Sequence, residues 1–293
     1  MRLRGGITIL LLTLLLSACV HKIPKGEHYF QAMGDAGEVV VTVDTSDLKR
    51  LPFKIEEGSF SALLSRVNRL SVALYDLDEE EEFSGLSNYA YYGALEGNIP
   101  AFLTNSAFKK DPDWSKVTEG KVRYYRNNQL GLDVYAVKQG LLLFASENYM
   151  KAYNKTYGNR EVKIEQALAD RMASALFGFY LASPKVMLDI GLNIPKTVIP
   201  HIASMTFVVE EGTKEGYVLG GIINMKSEKL ARSLSILVKS SYISDKRRNK
   251  EPLGDLTDLF ILEGDAFYIN ALPLTEAELK SFQALFAKLL PFS

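Results

Sequence analysis

A single cysteine in 293 residues, Cys19, most constrains how this chain holds itself together. No disulfide can form within the chain, so the body must rest on a hydrophobic core of its own. Composition permits that: 47% of the residues are hydrophobic and 24% charged, the proportions of a folded globular protein. The position of the thiol is informative too. Arg2 and Arg4 precede an almost wholly apolar run from Ile7 to Leu16, and small residues then lead into Cys19. A positive start, an apolar centre too short for a comfortable membrane span and a small-residue end make up an export signal.

Leu16-Ser17-Ala18-Cys19 resembles the lipobox of bacterial lipoproteins. The resemblance implies cleavage before Cys19, a thioether from its nucleophilic sulfur to diacylglycerol, and acylation of the new amino group. Several acyl chains anchor a protein stably where one holds it only marginally. Residues 1–18 are then a signal peptide, and membrane lipid, through the N-terminal acyl chains, is the first expected partner. The mature chain keeps 32 basic against 35 acidic side chains, a charge near −3, and no basic stripe points to nucleic acid. No second apolar stretch reaches spanning length. Val20 stands where an aspartate favours inner-membrane retention in some lineages. A lipid-anchored place in the cell envelope is expected, at the outer membrane rather than the inner, facing the periplasm.

Residues 19–36, with Pro24, Gly26 and Gly34, read as a flexible tether. Glu38–Val43 is rich in β-branched residues and predicts the first strand. A short helix over about Ser59–Val67, strands near Ser71–Tyr75 and Tyr89–Glu96, and a helical piece after Pro100 follow. Strands are next expected at Val122–Arg126, Leu132–Val137 and Leu141–Ala145, the last two flanking a turn at Lys138-Gln139-Gly140. Beyond that point the order comes again. Phe177–Leu181 predicts a strand, and a Pro-containing helical stretch runs to Pro200. Paired strands at Met205–Val209 and Tyr217–Met225 precede a helix over Ser227–Tyr242 and a basic loop. A hairpin at Glu263-Gly264-Asp265 and a last helix opened by the Thr275/Glu278 capping box complete the chain. Tyr89–Leu95 aligns with Tyr217–Ile223, and the offsets of about 124 to 139 residues are those of a domain duplication. The expected fold is α+β, with two tandem plait-like β-α-β-β-α-β halves, residues 37–160 and 161–293. Their mixed or antiparallel sheets would be covered by amphipathic helices and meet near Gly158–Asn159 or in a helix over Glu161–Met172.

Catalytic signals are sparse. His21 and His28 lie in the expected tether, which leaves His201 alone in the body. There is no Gly-x-Ser-x-Gly elbow, phosphate loop, dinucleotide fingerprint or zinc-binding spacing. The chain is therefore expected not to be an enzyme and to need no cofactor or metal. The acidic run Asp76–Glu82 lacks the alternating ligands and glycine of a calcium loop and reads as a solvated tip. Lys246–Lys250 reads as a loop balanced by Asp245 and Glu251, with anionic headgroups as its alternative partner.

Amphipathic stretches carry more information. Leu279, Phe282, Leu285, Phe286, Leu289 and Leu290 recur at helical steps, as do Leu230, Leu234, Leu237 and Val238 before Tyr242. Tyr149, Tyr153 and Tyr157 form a third stripe. Such faces either pack on a sheet or lie in a bilayer interface, and the sequence leaves both open. The lipid-contact candidates are Leu230, Leu234, Leu237, Leu279, Phe282, Leu285, Phe286 and Leu289.

A lipobox, a body otherwise free of cysteine, two α+β halves and amphipathic helices together resemble the concealed outer-membrane lipoproteins of treponemes. That resemblance is one of organisation and implies membrane insertion and lipid contact by the helices. It transfers no ligand-binding residue. Two functions follow as expectations: a periplasm-facing lipoprotein that binds lipid or engages a bilayer, and a non-catalytic envelope assembly module. The second would use a protein partner and an aromatic patch such as Tyr89, Tyr91 and Tyr92.

Overall fold

The computed structural model describes residues 28–45, 65–76, 89–158, 161–184, 194–212, 216–253, 255–276 and 278–280. Cys19 and the expected helix ahead of Val67 lie outside these residues, as do most of the acidic run and Phe282, Leu285, Phe286 and Leu289. All twelve described strands join one antiparallel sheet, in the order β11-β12-β10-β9-β8-β1-β2-β3-β7-β6-β5-β4. The strands are β1 (Val39–Asp44), β2 (Val67–Asp76), β3 (Tyr89–Gly97), β4 (Ser115–Glu119), β5 (Val122–Asn127), β6 (Leu132–Lys138) and β7 (Leu141–Ala145). They continue with β8 (Phe177–Ala182), β9 (Ile202–Glu211), β10 (Tyr217–Met225), β11 (Phe260–Glu263) and β12 (Ala266–Pro273).

β1 pairs with β2 on one side and β8 on the other. It is buried on both faces, which is why it reads as a run of valines and threonine rather than an alternation. Where one sheet face meets solvent the pattern changes, and the edge strand β4 is nearly all exposed. Gly140 and Gly264 hold positive φ in the β6–β7 and β11–β12 turns, a conformation that costs glycine little.

Helices cover both faces. α1 (Ala101–Lys110), α4 (Glu228–Arg248) and the single turn α5 (Leu256–Leu259) lie on one face. There Val41, Val72, Phe177, Phe179, Phe207, Ile223 and Phe267 form the larger core. α2 (Tyr149–Thr156) and α3 (Gln166–Ser174) lie on the other face over a smaller core that includes Val40, Tyr92, Leu143 and Val208.

Several expectations need correction. Consecutive strands are neighbours in meanders rather than crossovers of a plait, and β1·β8 pairing fuses the two runs into one sheet. Strand β4 carries no apolar alternation and was not anticipated. Residues 29–32, expected in the tether, form a buried 3-10 turn: Tyr29, Phe30 and Met33 fill the smaller core. The segment is too short to show a period, so its glycines dominate the sequence signal. Lys246, Arg247 and Arg248 end α4 rather than forming a loop, since cations are favoured at a helix C-terminus. α3 starts at Gln166, five residues later than expected.

Candidate functional site

α4 begins at Ser227, whose side chain caps it by accepting from the Leu230 N–H at 3.4 Å. Glu228 lies in the first turn and three cations in the last, matching the helix dipole. Ala231, Leu234, Ser235 and Val238 face the sheet and are buried. Tyr242 meets Phe260 edge-on at 5.3 Å, and Phe260 stacks on Phe267 at 5.9 Å, so aromatic packing fixes the far half of the helix.

This arrangement divides the lipid-contact candidates. Leu234 belongs to the core, and Leu230 is half-buried against it. Leu237 is 42% exposed, and beside it Ile236, which the sequence reading passed over, is 62% exposed. Six cations and two carboxylates give α4 a net charge of +4. Glu228 pairs with Arg232 at 3.0 Å and Asp245 with Arg248 at 2.7 Å. Lys246 pairs with Glu251, a contact that raises its pKa. Lys229, Lys239 and Arg247 have no carboxylate partner among the described residues. An apolar pair between uncompensated cations is suited to an anionic, partly apolar surface.

Leu279 is half-buried against the same core. Its helix opens with the expected capping box: the Thr275 N–H donates to Glu278 Oε2 at 2.7 Å, and the Glu278 N–H to Thr275 Oγ1 at 3.2 Å. On the opposite face the tyrosine stripe is graded, with Tyr149 buried, Tyr153 half-buried and Tyr157 partly exposed. Tyr92 is buried and Tyr91 half-buried against the larger core, so neither presents an open patch. His201 is exposed at the end of the 3-10 turn Lys196–His201. Among the described residues no group of His, Cys, Asp or Glu could hold a metal, and no helix is long and apolar enough to cross a membrane.

The other face holds a polar cluster no motif announces. Buried Glu38 accepts from the Tyr92 hydroxyl at 2.8 Å and from the Asp35 N–H at 3.0 Å, and meets Lys151 Nζ of α2 at 2.6 Å. Lys151 also lies 3.7 Å from the Tyr75 ring centroid. Burial first, and Glu38 second, push the Tyr92 hydroxyl far above the usual tyrosine range. Asp35 pairs with Lys155 at 2.6 Å, and the N–H of Lys163 donates to Gln31 O at 2.7 Å. The cluster clamps residues 28–38 onto α2 and α3.

This fold has a counterpart among solved structures. The fold resembles that of TP0453. Crystal form I of TP0453 superposes with a TM-score of 0.58 at 13% identity, covering 89% of this chain and 98% of that one. Crystal form III gives a TM-score of 0.54 at 13% identity, covering 87% and 97%. Crystal form IV gives 0.54 at 13%, covering 89% and 97%. No protein-family model matches this chain, and no curated protein does. At 13% identity TP0453 speaks to the fold alone.

Proposed function

We propose that this chain is a lipid-anchored, non-catalytic protein of the cell envelope that engages anionic bilayers through the solvent face of α4. One observation carries the reading: Ile236 and Leu237 project from a helix of net charge +4 whose core-facing side is already satisfied by the sheet. The lipobox at Cys19 supplies the anchor, and the likeness to TP0453 is consistent with the resemblance to treponemal lipoproteins. The outer membrane is the proposed site. Phe282, Leu285, Phe286 and Leu289 are proposed to add to lipid contact beyond Leu279.

Cosedimentation of the non-acylated chain, residues 20–293, with phosphatidylglycerol-containing vesicles tests this. The chain is expected to pellet with them, to do so several-fold less with phosphatidylcholine alone, and to lose binding when Ile236→Asp and Leu237→Asp are combined. Leu285→Asp with Phe286→Asp tests the terminal stripe separately. Absence of vesicle binding by the folded wild-type chain overturns the reading, and a reproducible crosslinked protein partner would then favour the assembly module.

A further inference from the structure

The sheet is open, and its two outermost strands differ. β11 has four residues, of which Phe260 is buried and Leu262 half-buried in the larger core. β4 has five, and Ser115, Lys116, Thr118 and Glu119 are all exposed, with Val117 alone half-buried. Alternate residues of an edge strand turn their N–H and C=O groups away from the strand they pair with. Such edges are ordinarily blunted by a bulge, a proline or a covering element. Among the described residues β4 has none of these. Its five residues pair with β5 without a register shift, no proline interrupts it, and no strand lies beyond it. The result is a backbone template ~17 Å long.

The guard that remains is charge, and it has a sign. Lys116 stands opposite Tyr125 and Thr118 opposite Arg123, so these four side chains share one face of the hairpin. Phe108 packs on Tyr125 at 5.9 Å, which makes it the α1 face. Lys116 and Arg123 are diagonal neighbours there, ~7 Å apart. Lys121 sits in the β4–β5 turn beside Gly120, and all three cations are exposed. None has a carboxylate partner among the described residues. Nearby acids are engaged elsewhere: Glu119 is turned to the other face, where the Tyr124 hydroxyl donates to it at 3.4 Å, and Asp111 accepts from the Asp113 N–H at 3.0 Å.

That sign selects among occupants. Two β4 edges brought together would set the same three cations against their copies, and like charges across strands repel. An anionic bilayer would use the cations and leave the outward backbone groups to water. An extended acidic segment uses both, because its backbone continues the ladder while its alternate side chains lie along the face of Lys116 and Arg123.

We propose that the β4 edge is a docking site for an extended acidic segment of a partner protein, which adds to the sheet beside β4 with its carboxylates near Lys116, Lys121 and Arg123. This goes beyond the α4 reading and does not depend on it. The test uses the acylated mature chain in phosphatidylcholine nanodiscs and a fluorescein-labelled peptide, Thr-Glu-Val-Glu-Val-Glu-Thr. Saturable binding by fluorescence anisotropy is expected, with amide hydrogen exchange slowed over residues 115–119 and unchanged over 260–263. The peptide N-methylated on its central Val-Glu-Val keeps its charge but has lost the donors of a ladder, and it is expected to bind several-fold more weakly. So is the peptide with lysine in place of glutamate. Lys116→Glu combined with Arg123→Glu is expected to weaken binding about tenfold. Both positions are exposed, and an unchanged circular dichroism spectrum verifies that the variant is folded.

No binding by the folded chain, equal binding of the N-methylated peptide, or full binding by the double variant overturns the proposal. Two further results do so by naming another occupant. Displacement of the peptide by phosphatidylglycerol vesicles that themselves slow exchange over 115–119 gives the edge to a bilayer. Self-association of the wild-type chain that the double variant abolishes gives it to a second copy.

Discussion

Glu38 shows how much one side chain can decide. Its carboxylate is buried, so the Lys151 ammonium and the Tyr92 hydroxyl must both stay in place. Lys151→Met strands that charge and is expected to cost about 2–3 kcal/mol, below the full value for a buried pair because part of Lys151 is exposed. Urea unfolding measures it, and Lys163→Met at the exposed Glu161 pair should change nothing detectable. Tyr92 gives the pH dependence. Its folded-state pKa is raised, so its contribution is intact below the unfolded tyrosine value near ~10 and fades as pH rises above it. Tyr92→Phe should flatten the alkaline limb of a Tm-against-pH profile.

At the scale of an element, α4 shows why an amphipathic pattern underdetermines a surface. Leu230, Leu234 and Leu237 lie close together on a wheel of 100° per residue. The sheet instead selects an arc centred on Ala231, Leu234, Ser235 and Val238, because small residues let the helix approach it closely. Leu237 is displaced to the rim. Leu234→Ala should therefore cost about 2–5 kcal/mol by leaving a cavity, while Leu237→Ala should stay within about 0.5 kcal/mol by the same thermal denaturation assay. Lipid binding should respond in the opposite order.

For the whole molecule, the β1·β8 seam sets cooperativity. Strand β1 is buried on both faces, so separating the two runs would expose the centre of both cores. A single transition is expected although the strands fall into two runs along the chain. The sole tryptophan, Trp114, packs on α1 near the β4 edge and reports on that end, while far-UV circular dichroism reports on all twelve strands. The two thermal curves should coincide; a separate tryptophan transition would show that the runs unfold as independent domains.

The amino-acid sequence by itself determined what depends on neighbours along the chain. The lipobox needs only contiguous residues. Val39–Val43, the turns at Gly140 and Gly264 and the Thr275/Glu278 box follow from β-branching, backbone freedom and local hydrogen bonds. Gly93 and Gly221, aligned in sequence, each meet a phenylalanine where a Cβ would sit, but Phe144 stands on the outer neighbour of its strand and Phe207 on the inner one, so the two contacts are not equivalent. Tertiary structure alone decided whatever depends on distant partners. Pairing of β1 with β8 turned two expected sheets into one, because edge hydrogen bonds carry no side-chain signature. Burial against α2 and α3 drew Tyr29–Met33 out of the expected tether and into the core. Which side of α1 and α4 remained in water was settled by where the sheet lay, and with it which apolar residues are free to meet lipid.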